Sequence, residues 1–230
     1  MTRILYDLCT ADPDVRPSPY CWLVKFALLH KGLDFETVPL PFADKSKYPD
    51  PDYGKVPMLK DGDELVRDSA VIVDHLEHVY PQRPLTRTAG ERAGAGFIAA
   101  WVRSAIYPAL APLTIPLVAV ALDGEDLAYF RRTREERFGK PLEEAAKDPT
   151  AAERMEAALG LLASPLSDHG FLGGDGPGLS DYIVFSALMW RRTIAHSDPY
   201  ETPPEIAAWS ERMLDLYDGY ARKAKRAVAA

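Results

Sequence analysis

Ser18 opens the run Ser18-Pro19-Tyr20-Cys21, which has the pattern of a helix start. A hydroxyl can accept an unpaired N–H of the first turn, and a proline fits the first helical position, where no N–H is needed. A second such start lies at Asp68-Ser69, and between the two Val56-Pro57 precedes the apolar pair Met58-Leu59. The N-terminus of a helix presents free N–H groups and a partial positive charge, so it favours a carboxylate, a phosphate or a thiolate. A proline opening a strand cannot donate to the sheet. If its peptide bond is cis, the chain bends there and the groups of the preceding residue face outward, where an extended peptide can pair with them as an added strand. Two anion-favouring termini beside available main chain suit a small anionic peptide that carries a thiol.

The elements that must hold these residues follow from local pattern. Arg3 to Leu8 is a short apolar run of strand type, followed by a polar, proline-bearing loop. The stretch after Ser18 is helical, with Leu23, Phe26, Ala27 and His30 at helical spacing, and Lys31-Gly32 form a cationic last turn and a left-handed cap. "LDFETVPLPF" is a second strand, residues 42–53 a loop or weak helix, and "VPML" with "ELV" a hairpin across "KDGD". The helix capped by Asp68 or Ser69 turns Val71, Ile72, His75, Leu76 and Val79 inward. Residues 1–80 therefore spell an α/β unit, 81–90 a linker rich in proline and arginine, and 91–230 a run of helices.

With 230 residues the chain is long enough for one large or two modest cores. Its formal charge of -7, from 34 acidic and 27 basic residues, excludes a generic phosphate-backbone binder and so a nucleic-acid partner. No charged start followed by an apolar run appears at the N-terminus, and two cysteines, Cys9 and Cys21, make neither a disulfide framework nor a metal set. A cytoplasmic enzyme is the expectation. Ser104 to Leu122 is uncharged and long enough to span a bilayer, yet it holds Pro108, Pro112 and Pro116. Each interior proline costs a helix roughly 3 kcal/mol and leaves a carbonyl that hydrocarbon cannot satisfy. The expectation is a broken, buried helix lining an apolar pocket, with no membrane partner.

The motifs "ILYDL", "SPYCWLVKFALLHKG", "VPMLKDGDELVRDSAVIVDHLEHVYPQRPL" and "FLGGDGPGLSDYIVFSALMW" occur in an order and spacing that resembles the glutathione transferases. Within them the chain looks most like the bacterial β-etherase type, which cleaves β-aryl ethers of lignin-derived compounds, and its fungal relatives. The likeness covers nearly all of the first 80 residues and one later helix; about 90–165 match only in helical character. It implies a thioredoxin-like α/β domain followed by an all-α helical bundle, glutathione as co-substrate, an apolar electrophile as second substrate, and a homodimer.

The resemblance also assigns roles. Ser18 matches the catalytic serine whose hydroxyl donates to the glutathione sulfur and favours its thiolate. Val56, before the cis-proline position Pro57, pairs its backbone with the cysteinyl unit. Asp68 and Ser69 match the acidic-serine pair that receives the γ-glutamyl end, the carboxylate going to the helix terminus and Ser69, the ammonium to Asp68. Lys55 stands where some classes bind the glycyl carboxylate, and Lys45 or Lys47 would share that task. Tyr20, Trp101, Tyr107 and Trp190 are candidates for the apolar wall of the second substrate, and Arg103 for an anionic group on it. Arg16, in the long loop before Ser18, would enter the site as an additional group.

Several features carry blander readings. Taken singly, Ser18 and Asp68-Ser69 are plain caps and Val56-Pro57 a strand edge; only their joint order speaks for the ligand. Cys21 follows Ser18 by three, but dithiol chemistry needs a cysteine at both positions, so Cys21 packs in the helix; a glutathione-dependent reductase would need disulfide exchange without it. Tyr6 reads as core. His75 and His78 lack a third, distant ligand and read as a helix face rather than a metal site. "GGDGPG" lacks the Lys-Ser/Thr of a phosphate loop and reads as a turn, and the basic tail Arg222 to Arg226 as a complement to a helix C-terminus. The family usually opens a central helix of its second domain with Ser or Thr three residues before an Asp; here Asp181 matches, but Gly178 stands at the cap, with Ser180 as a substitute one step later. A non-catalytic ligand-binding or docking module with the same fold is the rival to an enzyme.

Overall fold

The computed structural model describes residues 3–227. Strand β1 (Arg3–Leu8) leads through a loop to helix α1 (Pro19–Lys31), then to β2 (Phe35–Leu40). A single 3₁₀ turn (Lys45–Lys47) interrupts the next loop, and the hairpin β3 (Met58–Asp61) and β4 (Glu64–Arg67) precedes α2 (Ser69–Val79). The sheet order is β2-β1-β3-β4, with β1 and β2 parallel and the other pairs antiparallel. Pro39 is tolerated inside β2 because that strand lies at the sheet edge.

Local chemistry explains α1. Ser18 is its N-cap, Pro19 its first residue, and Gly32 ends it at φ 67°, a left-handed conformation that glycine adopts without a Cβ penalty. One face of α1 meets the sheet and the other the second domain, so its buried residues run from Cys21 to Lys31 rather than along one stripe. In α2 the buried set is Ser69, Ile72, Val73 and Leu76. That corrects the sequence expectation: Val71 and Val79 are 54% and 46% exposed. The ring of His75 turns to the hairpin instead, where Asp61 takes its Nε2 at 3.0 Å.

The second domain begins with α3 (Ala89–Trp101), which passes through a π turn (Val102–Ile106) into α4 (Tyr107–Val120). Together they form one helix, Ala89–Val120, long and apolar enough to cross a membrane but half buried within this fold. The proline segment is thus unbroken, contrary to the sequence reading. Pro108 falls in the first turn after the π turn, and Pro112 and Pro116 lie inside α4. The Leu113 carbonyl, in the turn that Pro116 disturbs, accepts from Arg191 Nη1 at 2.5 Å. Further helices follow: α5 (Gly124–Phe138), α6 (Leu142–Ala145), α7 (Ala151–Gly160), α8 (Ala163–Asp168), α9 (Leu179–Arg192) and α10 (Pro204–Gly219), the last kinked at Leu216 to Asp218.

One apolar core runs through both domains, from Leu5, Phe26 and Ile72 to Ile106, Tyr182 and Trp209. At the seam α1 lies on α9, and the rings of Phe26 and Tyr182 stack at 5.5 Å and 10°. A second cluster, with Val15, Phe42, Ile115 and Phe130, packs under the α4–α5 end. The head of α9 is held by Asp181, which is fully buried. Its carboxylate accepts the N–H groups of Leu172 (2.8 Å), Gly173 (2.8 Å) and Gly178 (3.0 Å) and the indole N–H of Trp209 (2.8 Å). Gly178 is the N-cap, so Ser180 does not take that place. Glycine has no side chain to return the bond, so only the acidic half of a capping box operates.

Candidate functional site

The sheet register gathers the chemistry-bearing residues at one end. Tyr6, Met58 and Arg67 form a row across β1, β3 and β4. Beyond that row β1 runs into the loop that reaches Ser18, Pro57 precedes β3, and Asp68 follows β4. Both helix N-termini and the Val56-Pro57 bond therefore share one edge of the α/β domain.

Ser18 is buried, and its Oγ accepts the N–H of Cys21 at 3.3 Å. That bond uses the oxygen and leaves the hydroxyl hydrogen to be donated. The Val56-Pro57 bond is cis. Among the described residues neither backbone group of Val56 has a backbone partner. Asp68 caps α2, accepting from Ala70 N (2.8 Å) and Val71 N (3.4 Å), and does so at φ 72°, ψ 136°. A non-glycine residue there is strained, and such strain gathers where a backbone is held for a ligand. Ser69, the first residue of α2, is buried and lines a cavity of about 250 Å³.

The lysines differ in placement. Lys45 Nζ bonds Tyr48 Oη at 3.1 Å and lies over the rings of Tyr48 (4.3 Å) and Tyr129 (5.3 Å), the latter from α5. Burial lowers its pKa, and the neighbouring charge of Arg134 pushes the same way while Asp126 opposes it. Lys47 is exposed and 3.6 Å from Asp44. Lys55 is exposed, near the ring of Tyr53.

A second cavity, about 150 Å³, adjoins Ser18. Tyr20, Tyr107 and Trp190 all line it, as a chain of rings: Tyr20 to Tyr107 at 5.7 Å, Tyr107 to Trp190 at 6.0 Å. Burial raises the pKa of the Tyr107 hydroxyl well above the usual tyrosine range, so the wall is neutral. Tyr20 and Tyr107 line the cavity at Ser69 as well, so the two cavities meet at that pair. Trp101 is not brought here. It is the last residue of α3 before the π turn, and its ring packs against the main core. Arg103, two residues later, lines the cavity at Ser69 and not the one at Ser18. Arg16 also turns away: its Nε donates to Pro13 O at 2.5 Å and its guanidinium approaches buried Asp7, which holds Lys25 at 2.5 Å. Arg16 lines a different cavity, beside Trp22 and Tyr220, and neither of those at Ser18 and Ser69.

Sequence reasoning missed Phe42, Phe130, Arg134 and Arg137, which line the cavity at Ser18. The available signal was spacing: Arg134 follows Phe130 by four residues, one turn on along the same face. Neither cysteine supplies a nucleophile. Burial raises the thiol pKa of both Cys9 and Cys21, Cys21 the more strongly. The site can therefore hold and polarise a thiol brought to it, next to a largely aromatic wall.

Residues 13–84 match the family model described as glutathione S-transferase, N-terminal domain, and residues 95–217 that of glutathione S-transferase, C-terminal domain. A probable glutathione S-transferase of Oryza sativa subsp. japonica, GSTU6, is 31% identical over 213 residues, covering 85% of this chain and 80% of that protein. The crystal structure of glutathione S-transferase CsGST63524 of Ceriporiopsis subvermispora, in complex with glutathione, matches with a TM-score of 0.74 at 26% identity, over 96% of this chain and 94% of that one. The fold is likewise that of glutathione transferase GSTFuA3 of Phanerochaete chrysosporium, with a TM-score of 0.75 at 24% identity, over 95% of this chain and 92% of that one.

Proposed function

The chain belongs to the glutathione S-transferase family, with glutathione as its co-substrate, and on that premise we propose that Ser18 activates the glutathione sulfur against an aromatic electrophile. The observation that carries this reading is the position of Ser18: at the N-terminus of α1 and on the wall of a cavity lined by Tyr20, Tyr107 and Trp190. Val56 pairs with the cysteinyl unit, Asp68 and Ser69 receive the γ-glutamyl end, and Lys45 and Lys55 face the glycyl carboxylate. The hydroxyl of Ser18 and the field of the helix terminus lower the thiol pKa, and the thiol proton passes to solvent.

A β-aryl ether is the favoured electrophile. The thiolate forms a C–S bond at the β-carbon, the C–O bond breaks, and the phenolate leaves with its electron pair to be protonated by water. A largely apolar, aromatic cavity of this kind suits the ring of such an ether. The protein works as a homodimer, a reading supported by the exposed apolar residues Val71 on α2 and Phe97 on α3, the latter 72% exposed.

The test is turnover. Purified protein, glutathione and a β-aryl ether ketone are incubated and the products followed by mass spectrometry, with thiolate absorbance read on the glutathione complex. A glutathione adduct with released phenol is expected. Neither product, from ethers or from generic aromatic electrophiles, would overturn the reaction, and light scattering decides the dimer.

A further inference from the structure

The cavity beside Ser18 is lined mainly by apolar and aromatic side chains, and α5 supplies two guanidinium groups to it. Arg134 is half-buried, its guanidinium carbon 4.7 Å from the centre of the Phe130 ring, and its Nη1 donates to Thr133 Oγ1 at 2.8 Å. Arg137, three residues further on, lies at the rim. Among the described residues neither arginine has a carboxylate within ion-pair distance, although α5 is rich in acids. Two of those acids are engaged elsewhere. Glu135 holds Arg131 at 3.0 Å and the N–H of Leu142 at 3.3 Å, and Asp126 accepts the N–H of Ala43 at 2.7 Å. Burial lowers the pKa of Arg134, Tyr129 opposes that, and the charge of Arg137 adds to it. Arginine nonetheless stays cationic in water-compatible pH.

An uncompensated cation against apolar walls is unfavourable in the empty cavity and favourable once an anion arrives. Guanidinium offers two parallel N–H groups that match a carboxylate. We infer that this cavity selects, among aromatic electrophiles, those that carry a carboxylate, with Arg134 binding that group and Arg137 adding its field at the rim. The inference rests on the cavity at Ser18 being the second-substrate site. Lys45 lies close enough to Arg134 for their charges to interact, so the glycyl carboxylate of glutathione is the competing occupant, and the experiment separates the two.

Protein saturated with S-methylglutathione, which fills the tripeptide site and cannot react, is titrated calorimetrically with 3,5-dinitrobenzoate and with its methyl ester. The wild type binds the acid at least about tenfold more tightly than the ester, R134Q loses that preference, and R134K retains part of it. R134K also serves should R134Q fail to fold. Equal affinity for acid and ester in the wild type overturns the inference. So does an unchanged preference in R134Q with weakened S-methylglutathione binding, which assigns the arginine to the tripeptide. The 4-chloro derivatives carry the same ratio into kcat/KM: the thiolate bonds to C4 and chloride leaves with the electron pair. Failure of both chloro compounds to react removes the transferase step, while the calorimetric ratio still decides the role of Arg134.

Discussion

Ser18 does two jobs with one hydroxyl, and substitutions can part them. As N-cap it accepts from Cys21 N–H, and replacing a serine cap with alanine costs about 1 kcal/mol, with glycine only a few tenths. As hydrogen-bond donor to the sulfur, its loss is expected to lower kcat/KM by about 10²-fold, the usual size for one such donor. Ser18→Ala should therefore lose both rate and stability, whereas Ser18→Gly should lose rate at nearly wild-type melting temperature; glutathione binding, read by calorimetry, persists in both. Equal rates in wild type and Ser18→Gly would remove the hydroxyl from the chemistry. Asp68 offers a parallel separation. At φ 72° it is strained, and glycine relieves strain there while sacrificing little as a cap. Asp68→Gly should melt within a degree or two of wild type yet raise the KM for glutathione about tenfold or more, by analogy with loss of a charge-assisted bond. Asp68→Ala, which keeps the strain and loses the cap, should destabilise by about 1–2 kcal/mol.

At the scale of elements, the head of α9 depends on one carboxylate. Asp181 to Ala strands three backbone N–H groups and the Trp209 indole, all turned toward the interior. Leaving four buried donors unpaired at about 1–3 kcal/mol each makes a loss of at least about 4 kcal/mol the expectation, or a fall of about 8–16 °C in Tm for a chain of this size. Calorimetry showing less than half of that would mean water replaces the carboxylate. Such elements were legible in sequence where their signals are local. Ser18, Pro19 and Gly32 mark both ends of α1 within its own sequence. The face of α2 was less legible, because the valines at 71 and 79 are apolar yet point away from the core, and periodicity alone cannot tell a core stripe from an exposed one. The prolines of α4 suggested a break, but neighbouring side chains such as Arg191 pair the backbone they disturb. Arg134 was hard to read for another reason: its spacing from Phe130 was the one signal, "RRTREERF" has the composition of a solvated face, and only the approach of Phe42, Phe130 and Trp190 encloses it.

For the molecule as a whole, the seam between the domains is polar at one point. His30 gives its Nε2–H to the Pro84 carbonyl at 3.2 Å, and its Nδ1 accepts from Tyr182 Oη at 2.7 Å, which in turn bonds Tyr217 Oη at 2.5 Å. Burial lowers the His30 pKa from 6.5, more than the Pro84 carbonyl raises it. The folded state thus binds fewer protons than the unfolded chain, and stability is complete above pH of about 6.5 and falls as pH drops toward the folded-state pKa. Asp61 and Glu77 contribute further down. Burial raises each pKa, but bonds from His75, Tyr80 and Arg3 to Asp61, and from Leu85 N–H and Lys31 to Glu77, outweigh it. Their share is lost below about pH 4. Urea unfolding from pH 7 to 5 should show a slope that His30→Gln flattens; an identical slope in the variant would place the proton uptake elsewhere. The second-domain side of that seam includes Ala89–Val120, whose five-residue π turn widens the helix by one residue between Trp101 and Tyr107. Removing a residue there would let the turn close as ordinary α-helix with everything after it still facing the same way, whereas removing one from α3 and keeping the π turn would rotate everything after it by about 100°. Tyr107 would then swing off Tyr20 and Trp190, and Ile115 and Val118 would leave the space beneath Phe130. The phase of a single helix thereby sets which chemistry the neighbouring cavity meets, so an inserted or deleted residue could change what this scaffold accepts without altering any side chain at the thiol itself.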